Sequence, residues 1–327
     1  MSDMVKAVRI HETGGAEAMR WEDVEVGDPG PGKVRLRQDV VGLNYIDINQ
    51  RAGAYPLRAL PCVLGMEGTG VIEALGDGVS GGFAKGDRVT YCMALGSYAE
   101  QRVISARHLI KLDEGTSFET AAAATLQGLT AQYLVRQLYP VQAGDTVLVQ
   151  AAAGGVGLLL CQWAKHLGAT VLGTVGTPEK AEIAKAHGCD HPILYRDTDF
   201  AAAVKEITGG AGVNVVYDAV GKDTFDKGID SLADRGWMVT YGQSSGPVPP
   251  LETTRLAPKA LNVTRGGLNF FVKDPKARAK NAAELFGLIK DGALKVEINQ
   301  RYPLAEAARA HTELEARQTT GSSVLVV

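Results

Sequence analysis

No apolar run in this sequence approaches membrane-spanning length, and no signal peptide is read at Met1–Arg9, where Asp3, Lys6 and Arg9 interrupt short apolar residues. Cysteine is scarce. Cys62, Cys92, Cys161 and Cys189 lie far apart with no Cys-x-x-Cys pair, which fits reduced cytoplasmic thiols and not a disulfide framework or a zinc cluster. An excess of positive charge is missing too: 34 Lys and Arg stand against 37 Asp and Glu, a net charge of -3, so nothing favours nucleic acid or an anionic membrane as partner. Aromatics make up only 6% and form no ladder with basic residues, which argues against a dedicated RNA surface. His11, His108, His166, His187, His191 and His311 form no ligand-spaced pair, and each reads as a surface or loop histidine. Repeats and low-complexity segments are also absent.

What is present is a chain of 327 residues, long enough for two domains, with ordinary hydrophobic (45%) and charged (22%) content. It is organised around Val147–Gly157, VLVQAAAGGVG. Thr146–Gln150 has the composition of a buried parallel strand. Gly154, Gly155 and Gly157 then make a tight turn. Leu158–Leu160, Trp163, Ala164 and Leu167 follow at helical spacing, and Gly168 ends the helix. Glycines between a strand and a helix are what a dinucleotide turn needs. The bare backbone admits the pyrophosphate, and the free N–H groups of the helix start favour an anion.

Before this turn the chain reads as short strands with Gly and Pro turns: Met4–Ile10, Met19–Val26, Lys33–Leu43, Leu64–Leu75, Asp87–Tyr91 and Tyr98–Ile104, with a short helix at Asn44–Arg51. Thr116–Glu119 has capping-box spacing and opens an Ala-rich helix to Leu138. From Val141 strands alternate with helices, the signature of a doubly wound parallel sheet. Its strands are Val147–Gln150, Thr170–Thr174, Pro192–Tyr195, Val213–Asp218, Trp237–Tyr241 and Leu261–Thr264. Asp274 and Pro275 read as N-cap and first residue of a helix to Lys290, and a last helix, Leu304–Arg317, precedes a strand at Ser322–Val327. The expected organisation is therefore α/β: a β-rich domain at 1–125 and 273–327, with a nucleotide domain at 126–272 inserted in it.

In a Rossmann unit an acidic residue about 20 positions past the glycines holds the ribose 2′-hydroxyl of NAD. Here the second strand runs into Thr174-Val175-Gly176-Thr177-Pro178 with no carboxylate, and Lys180, Tyr195 and Arg196 are near. That composition favours a 2′-phosphate, hence NADPH.

The motifs NYIDINQRAGAYP, LGMEGTGVI, GDRVTY, LQGLTAQYL, AAAGGVG, GTVGTPEK, VYDAVG, YGQSSG and TTGSSVLVV occur in this order from end to end. With them the chain resembles the zinc-independent quinone oxidoreductases (zeta-crystallin-like) of the medium-chain dehydrogenase/reductase superfamily. The resemblance implies a Rossmann-type NADPH domain and a GroES-like catalytic domain. Zinc-dependent members carry catalytic ligands at positions that match Asn44, Met66 and Leu126 here, and none of these offers a thiolate or an imidazole. The four-Cys loop of their structural zinc is gone as well, so no metal is expected.

Without zinc, hydride transfer suits an acceptor that delocalises its own negative charge, such as a quinone or a conjugated enone. Asn44, Asp47 and Tyr55 are the catalytic candidates, at and after the strand–helix junction that faces the cleft in the family. Tyr55 is preferred, because a phenol both lines an apolar slot and donates a proton. Asp47 otherwise caps or orients a neighbour, and Asn44 otherwise holds the turn. The resemblance places Tyr45, Tyr133, Gly154, Gly155, Val156 and Gly157 on the nicotinamide side or the pyrophosphate. It places Gly176, Lys180 and Tyr195 around the 2′-phosphate. Val220, Ser244, Ser245, Leu268, Asn269, Phe270 and Arg317 would close over the nicotinamide and ribose. Leu261–Thr264 resembles the edge strand through which the family pairs sheets into a homodimer. The leading expectation is an NADPH-dependent quinone oxidoreductase of the cytoplasm. A reductase of enals, enones or enoyl thioesters is the alternative on the same scaffold. A crystallin-like structural or RNA-binding protein is the alternative of another class.

Overall fold

Strand β3 (Lys33–Leu43) alternates buried Val34 and Leu36 with exposed or half-buried neighbours, and then buries every residue from Val40 to Leu43. One face alone meets a core along its first half, and both faces are covered along its second. It follows β1 (Asp3–Ile10) and β2 (Met19–Val26), and it leads into α1 (Tyr45–Arg51), β4 (Cys62–Val63), β5 (Glu67–Leu75), β6 (Arg88–Cys92), β7 (Gln101–Ser105), β8 (Leu109–Lys111) and α2 (Phe118–Tyr133). The computed structural model describes residues 3–327; Met1 and Ser2, where the reading of Met1–Arg9 begins, lie outside the described residues.

The glycine-rich part follows as β9 (Thr146–Val149), α3 (Gly155–His166), β10 (Thr170–Val175), α4 (Pro178–Ala186), β11 (His191–Leu194), α5 (Phe200–Ile207), β12 (Val213–Asp218), α6 (Phe225–Asp230), β13 (Leu232–Thr240), β14 (Asn262–Arg265) and α7 (Leu268–Val272). Its six strands form one parallel sheet in the order β11-β10-β9-β12-β13-β14, with β9 central, as in a doubly wound fold. Leu148, Leu172, Val216 and Met238 from four of these strands share a core with Phe200, Val204, Phe225 and Ile229 of α5 and α6.

The chain then closes with α8 (Pro275–Lys290), β15 (Ile298–Pro303), α9 (Ala307–Glu315) and β16 (Ser322–Val326). Two compact units result. One holds the chain up to Leu126, Lys273–Phe286 and Val296–Val327; the other holds Gln127–Val272 and Gly287–Lys295. In the first unit β16 pairs with β3, giving the path β15-β16-β3-β5-β6-β8, with β7 also on β3. Gly287–Lys295, expected with the β-rich domain, falls in the nucleotide unit. The reason is visible at Gln162 of α3, whose side-chain amide takes both backbone groups of Lys295, at 3.0 and 2.7 Å.

Three local expectations shift. The capping box was placed on Thr116 and Glu119, but Asp113 captures the Thr116 N–H and hydroxyl at 2.8 and 2.6 Å. Ser117 caps α2 instead, accepting from the Thr120 N–H at 3.0 Å, and Glu119 pairs with Arg301 at 2.9 Å. The strand expected from Leu64 begins only at Glu67, because Gly65 turns to φ +90. The last helix begins with a 3-10 turn at Leu304–Glu306 and stops at Glu315, since Arg317 takes the left-handed φ of +59.

Candidate functional site

In the nucleotide unit the carboxyl end of β9 delivers the chain into the glycine turn. Gly154 precedes α3 in extended conformation, and no side chain caps the helix. As at any helix start, the first-turn N–H groups of Gly155, Val156 and Gly157 have no intrahelical partner, an arrangement that favours an anion. Packing dictates one of the glycines. A Cβ on Gly157 would lie 2.3 Å from the Ala151 carbonyl oxygen, whereas one on Gly155 would meet only the end of the Gln127 side chain. β10 holds the turn in place: the Ala151 N–H donates to Thr174 Oγ1 at 3.2 Å and the Ala152 N–H to the Thr174 carbonyl at 3.0 Å. The Thr174 hydroxyl in turn donates to Gln150 Oε1 at 2.6 Å.

No carboxylate ends β10. A Cβ on Gly176 would stand 3.3 Å from the Tyr195 hydroxyl and 3.5 Å from Arg196 Nε, so these three residues meet. Tyr195 and Arg196 are exposed. Thr177 caps α4 by accepting from the Lys180 N–H at 3.3 Å, which puts half-buried Lys180 in the first turn of that helix.

Beyond β12, the sealed Asp218 carboxylate accepts from the N–H groups of Val220 and Gly221 at 2.7 and 3.1 Å and from the Thr224 hydroxyl. Ser245 ties this loop to the next: its hydroxyl donates to the Val220 carbonyl and accepts from the Asp223 N–H. Ser245 thus spends its side chain on shaping the loop, and Ser244 joins through its N–H to Ala219 at 3.1 Å. Asn269 and Phe270 are exposed on α7, while Leu268 is buried. Tyr133, expected on the nicotinamide side or the pyrophosphate, presents no open face. Its ring stacks on Phe271 at 4.3 Å and is 1% exposed.

The first unit contains a continuous polar chain. Asn44 caps α1: its side chain accepts from the Asp47 N–H, and the Asp47 carboxylate accepts from the Asn44 N–H at 2.9 Å, a reciprocal capping box. Asn44 Nδ2 donates to Glu67 Oε2 at 2.8 Å, and the Leu126 N–H donates to Glu67 Oε1 at 2.5 Å. The Tyr98 hydroxyl donates to Asp47 Oδ2 at 2.9 Å. Asp47 and Glu67 have no exposed surface. Burial pushes Asp47 up to about 7, partly offset by the Asn44 and Tyr98 donors, and pushes Glu67 up to about 8. Asp47 thus orients α1 and Asn44 holds its turn, the other role read for each of these two candidates. Tyr45 and Tyr55 remain half-buried, and Arg317 is exposed. Burial, then the Glu315 charge, raise Tyr45 above the usual phenol range. His311, expected at the surface, is fully buried.

The positions matched to zinc ligands do not fit that metal. Asn44 spends its amide on Glu67 and α1, the Met66 sulfur accepts from Gln50 Nε2 at 3.5 Å, and Leu126 contributes only its N–H. Among the described residues no three His, Cys, Asp or Glu side chains gather as a metal site.

Sequence reasoning missed Gln127, Thr174 and Asp218 as builders of the cofactor side. Asp218 had a signal, an Asp followed within three residues by a Gly. Tyr98 and His311 had none, since 213 residues separate the hydrogen-bonded pair.

Residues 30–114 match the alcohol dehydrogenase GroES-like domain, and residues 155–285 match the zinc-binding dehydrogenase family. A quinone oxidoreductase of Pseudomonas aeruginosa is 48% identical over 99% of this chain and 100% of its own. A 2-haloacrylate reductase from a Burkholderia species is 44% identical over 99% of both chains. The crystal structure of an Escherichia coli quinone oxidoreductase complexed with NADPH superimposes with a TM-score of 0.96 at 42% identity, covering 98% of this chain and 100% of that one.

Proposed function

The chain belongs to the quinone oxidoreductase family of the medium-chain dehydrogenase/reductase superfamily, and on that premise we propose that it reduces quinones with NADPH. The observation that carries this reading is the meeting of Gly176, Tyr195 and Arg196 beside a strand end without a carboxylate. A 2′-phosphate finds a guanidinium and a phenol there, and no carboxylate ends the strand to accept from a 2′-hydroxyl. NADPH, when bound, supplies a hydride. The first-turn N–H groups of α3 hold its pyrophosphate, and the Asp218-built loop with Ser244, Ser245 and Val220 borders its ribose.

The catalytic unit contributes the acceptor contacts. Tyr55 is the group we assign to the acceptor oxygen, as donor of a hydrogen bond or a proton. Its phenol stands on the loop after α1, where the Tyr55 N–H is fixed to the Asn49 carbonyl at 3.0 Å. A quinone delocalises the charge that arrives with the hydride, so one donor and correct alignment suffice. We assign the enzyme to the cytoplasm on its four free cysteines. Among the described residues no helix is long and apolar enough to cross a membrane.

A double-bond reductase is the second reading, favoured by the identity with the 2-haloacrylate reductase. An enoyl thioester of coenzyme A is one form of it; of the basic residues that would greet its phosphates Arg58 is exposed, while the other four are engaged. Arg51 binds Glu315, Arg255 binds Asp226 and Asp230, Lys259 donates to the Leu232 carbonyl, and Arg265 donates to Gln243. The cofactor assignment is tested with Arg196→Ala. Losing one charge-assisted contact raises the KM for NADPH roughly tenfold and leaves NADH turnover unchanged. An equal effect on both cofactors would remove Arg196 from the phosphate site.

A further inference from the structure

We propose that His311, with Tyr98 and Arg51, is a positioning group for the acceptor half of the reaction: a one-way hydrogen-bond chain in which every proton is assigned and whose end holds the first turn of α1. The proposal uses the quinone reductase reading only for its kinetic readout.

The direction of the chain follows from donor chemistry. Arg51 NH1 lies 3.3 Å from His311 Nδ1, and a guanidinium only donates, so Nδ1 carries no proton. The ring is therefore the Nε2–H tautomer. Nε2 lies 3.1 Å from the Tyr98 hydroxyl oxygen, which must accept from it. Tyr98 then has one proton to give, and it goes to Asp47 Oδ2 at 2.9 Å. That same oxygen accepts from the Asn44 N–H, which fixes the capping box of α1 and with it Asn44 and Tyr45. A protonated imidazole would aim an N–H at a guanidinium, and burial with the Arg51 charge holds His311 down to about 3, so the ring stays neutral.

The surroundings are built for this arrangement. Arg51 ends α1 and is 1% exposed. Its second nitrogen grips both Glu315 oxygens, at 2.8 and 2.9 Å, and its Nε donates to the Gly14 carbonyl at 3.2 Å. His311 and Glu315 stand one turn apart on α9, so a single guanidinium staples α1 to α9. Tyr98 meets His311 edge-on, with ring centroids 5.8 Å apart. Gly65, at φ +90, makes room for it: a Cβ there would fall 2.2 Å from the Tyr98 ring.

Asn44 and Asp47 close the capping box of α1, so this network acts through α1 on what α1 presents. It follows that His311→Gln preserves function. The glutamine oxygen accepts from Arg51 and its amide donates to Tyr98, and kcat for quinones stays within about threefold of the parent. His311→Leu and Tyr98→Phe break the chain. They lower kcat at least tenfold with the Kd for NADPH unchanged, because the nucleotide unit is untouched. The tautomer is read without turnover, from the imidazole nitrogen shifts of histidine-labelled wild-type protein between pH 5 and 8, assigned with His311→Gln. A neutral Nε2–H ring that does not titrate over this range supports the chain. An Nδ1–H tautomer, or an ordinary titration, overturns it even if His311→Leu and Tyr98→Phe do not fold. Wild-type kcat in folded His311→Leu overturns the positioning role. Absence of quinone turnover in the wild type would sink the reaction assigned above, and the nitrogen shifts would still decide this proposal.

Discussion

Tyr55 and the pair Asp47–Glu67 carry the residue-scale argument, and they differ in what water can reach. Tyr55 is half-buried and keeps part of its surface. Tyr55→Phe removes the donor while keeping the ring. The expected result is a fall in kcat of at least tenfold with little change in acceptor KM; an unchanged kcat would reduce Tyr55 to a packing aromatic. Asp47 and Glu67 are sealed and lifted to about 7 and about 8, chiefly by burial. An acid lifted on folding binds more protons in the folded than in the unfolded state. Its stabilisation is complete below the ordinary carboxylate range and is lost as pH rises through the folded value. His311, held low, works in the opposite sense only below its unfolded value near ~6.5. Between pH 7 and 8, above the range of an unfolded histidine and below that of an unfolded thiol, the acids dominate, so the melting temperature falls across that interval. Asp47→Asn, which keeps an accepting oxygen for Tyr98 and Asn44, flattens the fall. A parent melting temperature that stays level from pH 7 to 8 would show that neither carboxyl keeps its proton when folded.

At the scale of elements, β14 is where the fold leaves something unfinished. It pairs with β13 on one side and forms the last strand of the parallel sheet, so its other side carries backbone groups without a strand partner among the described residues. Val263, 38% exposed, is an apolar residue on that edge. A homodimer formed through this edge would pair β14 with its own copy. Val263→Lys then gives a monomer in sedimentation, while a parent that already sediments as a monomer would dismiss the idea. Elements of this kind were legible beforehand. β2 and β3 were placed to the residue, and the Asp274–Pro275 helix start is formed by Asp274 accepting from Lys276 and Ala277. Periodicity and caps are local, and the chain displays them. The polar chain of the first unit was not legible, because Asn44, Glu67, Tyr98 and His311 acquire their roles only when distant segments pack. His311 departs from a surface position for that reason: nothing in ARAHTELE reports that an imidazole will be sealed off. The glycine turn was legible in position. Its packing partners, Gln127 and the Ala151 carbonyl, were not.

For the whole molecule, two units divide the labour. One builds a helix start that favours an anion and a guanidinium–phenol corner without a carboxylate. The other builds a sealed polar frame around α1 and leaves Tyr55 half-buried, with a donor set unsuited to zinc. The central claim is that this combination passes a hydride from NADPH to a quinone. Its most direct test is NADPH oxidation by the metal-free protein, followed by absorbance, with ortho- and para-quinones beside enals and enones and with NADH as the cofactor control. The account predicts fast turnover with quinones and little with NADH. Turnover confined to enals or enones, or equal use of NADH, would contradict it.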